Sequence, residues 1–218
     1  MAGVTVLVAD DHELVRVGVL ALLRGEPDIR VVGQATDGLG TLGLAQHLRP
    51  SVILLDLMLP GLSGMEVLRQ LPTRAPGVRA VILSVQDNLA YVLEAMRAGA
   101  LGYVLKDSHP GQVVHALREA AAGRRYLAPP LSEQRLHIYE AQTRSSIPDP
   151  YETLTTRERE VLHLTAEGRT SVEVGQALFI SSRTVEGHRA TLMRKLGLAT
   201  QKDVVRYALR RGILPVDD

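Results

Sequence analysis

The first 125 residues alternate short apolar, β-branched runs with stretches of helical period, and this alternation limits the fold more than any other feature. Val4–Ala9, Arg30–Ala35, Val52–Asp56, Ala80–Ser84 and Gly102–Leu105 read as strands. Their apolar residues are continuous, the pattern of strands covered on both faces of a parallel sheet. Glu13–Arg24, Leu39–Leu48, Gly64–Gln70, Leu89–Ala98 and Pro110–Ala122 read as the helices between them. Five strands with five helices imply a (βα)5 doubly wound parallel sheet, an α/β domain with helices on both faces. One Phe and no Trp leave Leu, Val, Ile and Ala to fill the core.

The pattern breaks at 126–150, where Pro129, Pro130, Pro148 and Pro150 bracket a polar stretch. This reads as a linker with one short helix near Ser132–Gln142. From Thr155 the period is helical throughout, with helices expected at Thr156–Glu167, Val172–Leu178, Ser182–Leu196 and Lys202–Arg211. The expected division is therefore 1–125, an α/β domain; 126–150, a linker; and 151–218, a small all-α four-helix module.

Net charge is only +1, so its distribution matters more than its total. Residues 1–125 balance 12 Lys+Arg against 12 Asp+Glu, whereas 181–195 set Arg183, Arg189, Arg194 and Lys195 against Glu186 alone. A local basic helix inside a nearly neutral chain is therefore expected. The absence of cysteine excludes disulfides and thiolate metal sites and fits a reducing compartment. The N-terminus lacks the basic region of a signal peptide, and no run of about 18 apolar residues exists. A cytoplasmic protein with no membrane partner is the expectation.

Three acids stand at strand ends. Asp10 and Asp11 follow the first strand, and Asp56 ends the third. In a 2-1-3-4-5 sheet strands 1 and 3 are neighbours, and ligands bind beyond their carboxyl ends. Converging carboxylates raise one another's pKa, a conflict that a hard cation such as Mg²⁺ resolves with oxygen ligands. Ser84 ends the fourth strand and Lys106 follows the fifth. A carboxylate nucleophile, a cation site, a hydroxyl and an ammonium make a set suited to phosphoryl transfer.

With Pro60 and Gly64 behind Asp56, and Tyr103 before Lys106, these residues resemble the receiver domain of response regulators, a flavodoxin-like fold. The resemblance implies that Asp56 accepts phosphate from a sensor histidine kinase. Asp11, Asp56 and the Met58 carbonyl would bind Mg²⁺, with Asp10 acting through water. Ser84 and Tyr103 would form the switch, and Lys106 would hold the acyl phosphate. Three departures stand out, one of them Met58, which is apolar where many relatives carry a polar residue. Leu59 precedes the proline where Met is usual, and Val85 follows Ser84 where a smaller residue is usual. The Val85 methyls and the apolar Met58 are expected to slow water attack on the phosphorylated aspartate.

In the second module Thr155 or Thr156 is placed to cap a helix that Gly168 ends, and Ser171 to cap the next. Phe179–Ser182 forms a turn into a basic helix, the order of a helix-turn-helix whose second helix enters the major groove. Val185, His188, Leu192 and Leu196 share its inner face, with His188 packed in the core. LTTREREVL (Leu154–Leu162), AEG (Ala166–Gly168), ISSRTVEGHR (Ile180–Arg189) and RKLG (Arg194–Gly197) resemble the LuxR-type DNA-binding domain, and the order of parts matches the NarL/FixJ family. That resemblance makes Ser182–Leu196 the recognition helix on double-stranded DNA. Glu186, Gly187 and Ala190 would face bases, Thr184, Arg189 and Lys195 would meet phosphates, and Arg183 and Arg194 add to the basic face. Glu186 can accept from cytosine N4. Gly175 stands where alanine is usual, at a helix cost of ~1 kcal/mol. Paired half-sites further imply a homodimer on phosphorylation.

Three rivals have separate signatures. A haloacid dehalogenase-type phosphatase needs an acid two residues after its nucleophile, and Met58 sits there. A constitutive DNA-binding protein with a scaffolding receiver would not need the Ser84–Lys106 set. A ligand-sensing LuxR regulator would not need the strand-end acids.

Overall fold

In the computed structural model, which describes residues 3–143, 150–211 and 213–214, six parallel strands lie in the order β2-β1-β3-β4-β5-β6. They are β1 (Val4–Ala9), β2 (Ile29–Ala35), β3 (Val52–Leu55), β4 (Arg79–Ser84), β5 (Gly102–Leu105) and β6 (Tyr126–Leu127). The helices between them are α1 (Glu13–Arg24), α2 (Gly38–Leu48), α3 (Gly64–Arg74), α4 (Leu89–Arg97) and α5 (Pro110–Ala121). Every residue of β3 is buried, as its unbroken apolar run requires. Side chains alternate between two cores. Val6, Val8, Leu54 and Val104 pack with α1 and α5, while Leu7, Ile53, Leu55 and Ile82 pack with α2, α3 and α4.

Two differences from the sequence reading have physical causes. Helix α3 runs through Pro72 to Arg74. Val67, Leu68 and Leu71 are buried there, and this packing outweighs the ~3 kcal/mol helix cost of proline. Part of the segment read as linker joins the sheet, with β6 pairing to β5 through Gly102↔Tyr126 and Tyr103↔Leu127. The short helix expected there is α6 (Glu133–Thr143), and Leu131 and Leu136 bury against the α4 side of the core. Arg97 on α4 pairs with Glu140 on α6 at 2.8 Å.

The second unit opens with a 3-10 turn (Pro150–Thr153), followed by α7 (Thr156–Ala166), α8 (Ser171–Leu178), α9 (Ser182–Leu196) and α10 (Gln201–Arg210). Its core holds Val161, Leu162, Val174, Leu178, Val185, Leu192 and Val204. Thr155 caps α7 in a reciprocal box with Glu158. The cap of α8 is Thr170, boxed with Glu173, rather than Ser171, because the acid three residues on is what closes the box. Among the described residues no helix is long and apolar enough to cross a membrane.

Candidate functional site

The strand ends bring the predicted acids together. Asp10 and Asp56 are each 2% exposed, and Asp11 lies at the surface beside them. Lys106 reaches over from the end of β5, its Nζ 2.7 Å from Asp56 Oδ2 and 2.9 Å from Asp10 Oδ2. Burial pushes the Asp56 carboxyl up, while the adjacent ammonium pulls it back. The Met58 N–H donates to Asp56 Oδ1 at 3.1 Å, which fixes the carboxylate's direction. One ligand atom from each of Asp10, Asp11, His12 and Asp56 falls within 4.8 Å of all the others. The set fits a divalent cation, since three carboxylates converge there, Lys106 contacts only two of them, and their oxygens suit a hard ion.

Gly64 has a role beyond turn formation. A Cβ there would sit 1.9 Å from the Asp56 carbonyl oxygen, so only glycine lets α3 begin against the end of β3. Its N–H donates to Leu57 O at 2.9 Å.

Ser84 is fully buried and its Oγ accepts from the Gln86 N–H at 3.1 Å. The Tyr103 ring is also fully buried, with its hydroxyl donating to Gln86 O at 2.7 Å. Burial pushes the phenol above its ordinary range. Both predicted switch residues therefore meet on the β4–α4 loop. Val85, by contrast, is 67% exposed, and Met58 is half-buried at the rim.

On the second unit, α9 packs against α7, α8 and the 3-10 turn. Its outer face presents Arg183, Thr184, Glu186, Gly187, Ala190 and Arg194, all exposed. Nothing stands within 4 Å of a Cβ built on Gly187, so close approach of a ligand is open there. Two predicted phosphate contacts are already engaged. Lys195 Nζ lies 2.7 Å from Glu158 Oε2 and 2.9 Å from Thr153 O. Arg189 donates to Ser171 Oγ and Gln201 Oε1 at 3.4 and 3.3 Å. His188 is only half-buried, not a core residue, because it lies at the edge of the packed stripe. Gly175 also has its reason: a Cβ there would meet Ile180 O at 2.7 Å, so the turn into α9 crosses close over α8.

Sequence reasoning missed the seam between the units. Tyr151 is 4% exposed under three guanidiniums, those of Arg69, Arg159 and Arg211 at 5.4, 5.0 and 4.7 Å from its ring centre. Glu66 on α3, also 2% exposed, lies 3.7 Å from both Arg69 and Arg159. Burial pushes its carboxyl up to about 7, against the pull of the two arginines. Gln70 bonds Glu160, and Arg211 pairs with Glu94 at 3.4 Å. The seam reaches the loop behind Asp56. The Gly61 N–H donates to Glu167 Oε1 at 2.9 Å, and His163 Nε2 sits 3.2 Å from Leu59 O and 3.1 Å from Glu167 Oε1. Burial pushes the Glu167 carboxyl up, but its bonds with His163 and with the Gly61 N–H outweigh burial and hold it at about 2. The sequence signal was faint: α7 buries nearly every residue from Glu158 to Ala166, yet reads as an ordinary charged helix.

Comparison with known proteins agrees with this geometry. Residues 6–118 match the response regulator receiver domain, and residues 152–208 match the bacterial regulatory proteins of the luxR family. The chain is 35% identical to the transcriptional regulatory protein LiaR of Bacillus subtilis, over 97% of this chain and 99% of LiaR. It is 33% identical to the oxygen regulatory protein NreC of Staphylococcus carnosus, over 96% of this chain and 98% of NreC. Among solved structures, the RcsB response regulator of Salmonella typhimurium aligns with a TM-score of 0.58 at 25% identity, over 95% of this chain and 98% of RcsB. With a strand-end acid pocket on one unit and an open basic helix on the other, the chain belongs to the NarL/FixJ family of two-component response regulators, phosphorylation-controlled DNA-binding transcriptional regulators built from a receiver and a LuxR-type helix-turn-helix.

Proposed function

We propose that Asp56 is the phosphoacceptor, taking its phosphoryl group from a sensor histidine kinase, and that this modification governs binding of α9 to promoter DNA. The observation that carries the reading is Lys106, whose ammonium bridges Asp56 and Asp10 at the ends of β5, β3 and β1. Asp10, Asp11, Asp56 and the Met58 carbonyl would hold Mg²⁺, and the ion would supply positive charge against the transferring oxygens. Lys106 steadies the phosphorylated carboxylate, and Ser84 and Tyr103 carry the change into the β4–α4 loop. Arg183, Thr184, Glu186, Gly187, Arg189, Ala190, Arg194 and Lys195 form the DNA face, in which Lys195 and Arg189 must first leave their present partners. We take 1–125 as the receiver, 126–150 as the connector and 151–218 as the DNA-binding unit, in a cytoplasmic protein.

The exposed outer face of α9 bears on how control is exerted. No unmasking of that helix is required, so phosphorylation acts by pairing two copies on paired half-sites. The same exposure favours a second reading, in which DNA binding is constitutive and the receiver only scaffolds a dimer. Operator affinity, measured with and without acetyl phosphate and Mg²⁺, separates the two. Phosphorylation control predicts tighter, salt-sensitive binding by the treated wild type and no change in Asp56→Asn. Equal affinity in all four samples would establish the constitutive reading.

A further inference from the structure

His12 has no place in the chemistry described above, yet it stands at the mouth of the acid pocket. It occupies the N-cap position of α1, where Ser, Thr, Asp or Asn would normally bond the free N–H groups of the first turn. Its side chain makes no such bond. The ring turns back instead, with Nδ1 2.8 Å from Asp11 Oδ1 and 3.6 Å from Asp10 Oδ1. Its own backbone N–H donates to Asp10 Oδ1 at 2.9 Å, which ties the residue to the pocket. Two trans ligands of one small divalent ion stand roughly 4.2 Å apart, twice a bond of about 2.1 Å. The 4.8 Å spread of atoms from Asp10, Asp11, His12 and Asp56 is close to that limit. The ring is also largely exposed, so it can swing onto an ion without breaking core packing.

Resting on the receiver reading, we propose that His12 contributes an imidazole nitrogen to the ion held by Asp10, Asp11 and Asp56, and so tilts the pocket towards divalent transition cations. Oxygen-only sites serve Mg²⁺, which gains little from nitrogen, whereas Mn²⁺ and its heavier neighbours accept imidazole readily. His12 is thus a selectivity residue for the cation, and the site remains competent for Mg²⁺ through its carboxylates.

The test uses the full chain with Mn²⁺ and Mg²⁺ as probes. Mn²⁺ binding is followed by loss of the free-ion electron spin resonance signal, Mg²⁺ binding by calorimetry, and ligand type by spin-echo modulation from directly bound ¹⁴N. His12→Asn removes the imidazole while placing one of the best N-caps at the start of α1, so folding is protected. The expected result is imidazole ¹⁴N modulation in the wild type and Mn²⁺ affinity about tenfold weaker in His12→Asn, with Mg²⁺ affinity unchanged. Absence of that modulation, or equal weakening for both ions, overturns the proposal. Asp11→Asn separates this from failure of the underlying reading. If it abolishes binding of both ions, the pocket stands whatever His12 does; if the wild type binds neither ion, the cation site itself is wrong and His12 falls with it.

Discussion

Asp56 and Glu66 are buried to the same extent, 2% exposed each, and lie only ten residues apart. Burial pushes both carboxyls up, but their company differs. Asp56 has an ammonium in direct contact at 2.7 Å and an open rim beside it. Glu66 has two guanidiniums at 3.7 Å, one from each unit of the protein, and its Oε2 makes no hydrogen bond. The first arrangement suits the phosphoacceptor role proposed for Asp56. The second makes the docking of two units depend on the charge of one group. Helix α3 joins them, because Gly64 sets its start against Asp56 while Glu66, Arg69 and Gln70 lie on its next turns.

The largest effect expected from this contrast is at Lys106. Lys106→Met removes the cation that faces the transferring oxygens, and the phosphorylation rate with acetyl phosphate falls by ~100-fold or more. The far-ultraviolet circular dichroism stays the same, because Asp10 and Asp56 can share a proton once unpaired. An unchanged rate would break the contrast, since Lys106 would then be structural like the arginines of the seam.

At the seam, Tyr151→Ala removes the ring that three guanidiniums cover. It costs on the order of 3 kcal/mol, as for other buried aromatic truncations, shared between docking of the units and the second unit's own core, where Tyr151 also packs. The chain has no cysteine, so one introduced in each unit allows a distance measurement by energy transfer. The expected outcome is a longer, broader distance in Tyr151→Ala, with phosphorylation of Asp56 still proceeding.

A smaller effect follows from pH. Glu66 titrates at about 7 in the docked protein against 4.5 ordinarily, so the docked state binds the proton more tightly. The Glu66 contribution to docking is full at and below 4.5 and is lost as pH rises to about 7. Glu167 is held at about 2, so its contribution is complete above 4.5 and is lost only in stronger acid. Glu66 lies among Arg69, Arg159, Gln70 and Glu160, and the seam also holds His163, so the comparison with Glu66→Gln is what separates the Glu66 contribution in the window between 5 and 7. The energy-transfer distance should lengthen across that window more steeply in the wild type than in Glu66→Gln, with a difference of about tenfold in the docking equilibrium per pKa unit.

The smallest is at Val85. Its side chain is 67% exposed, so Val85→Ala should speed loss of the phosphoryl group by only about twofold, the size of effect usual for exposed positions. A much larger acceleration would mean that the β4–α4 loop folds over Asp56 once it is phosphorylated.

The same contrast explains what could be read from the sequence. Asp10, Asp56, Ser84 and Lys106 each end a strand or directly follow one, and parallel strands of this order bring their ends to one place. Strand period therefore locates the pocket without coordinates. Tyr151, Arg159 and Arg211 were opaque, because a charged helix that docks on another unit has the same pattern as one that faces water. His12 was opaque for a related reason: one histidine after two acids reads as a loop residue until its failure to cap α1 is visible. The β6 strand escaped notice because two residues between prolines and a polar stretch carry no period.

The most direct test is intact-mass and peptide mass spectrometry of the full chain after treatment with acetyl phosphate and Mg²⁺. A single added phosphoryl group on Asp56, absent from Asp56→Asn and from samples stripped of divalent cation, is the predicted result. A phosphoryl group on another residue, or none on the wild type while circular dichroism shows it folded, would contradict the assignment of Asp56 as the acceptor.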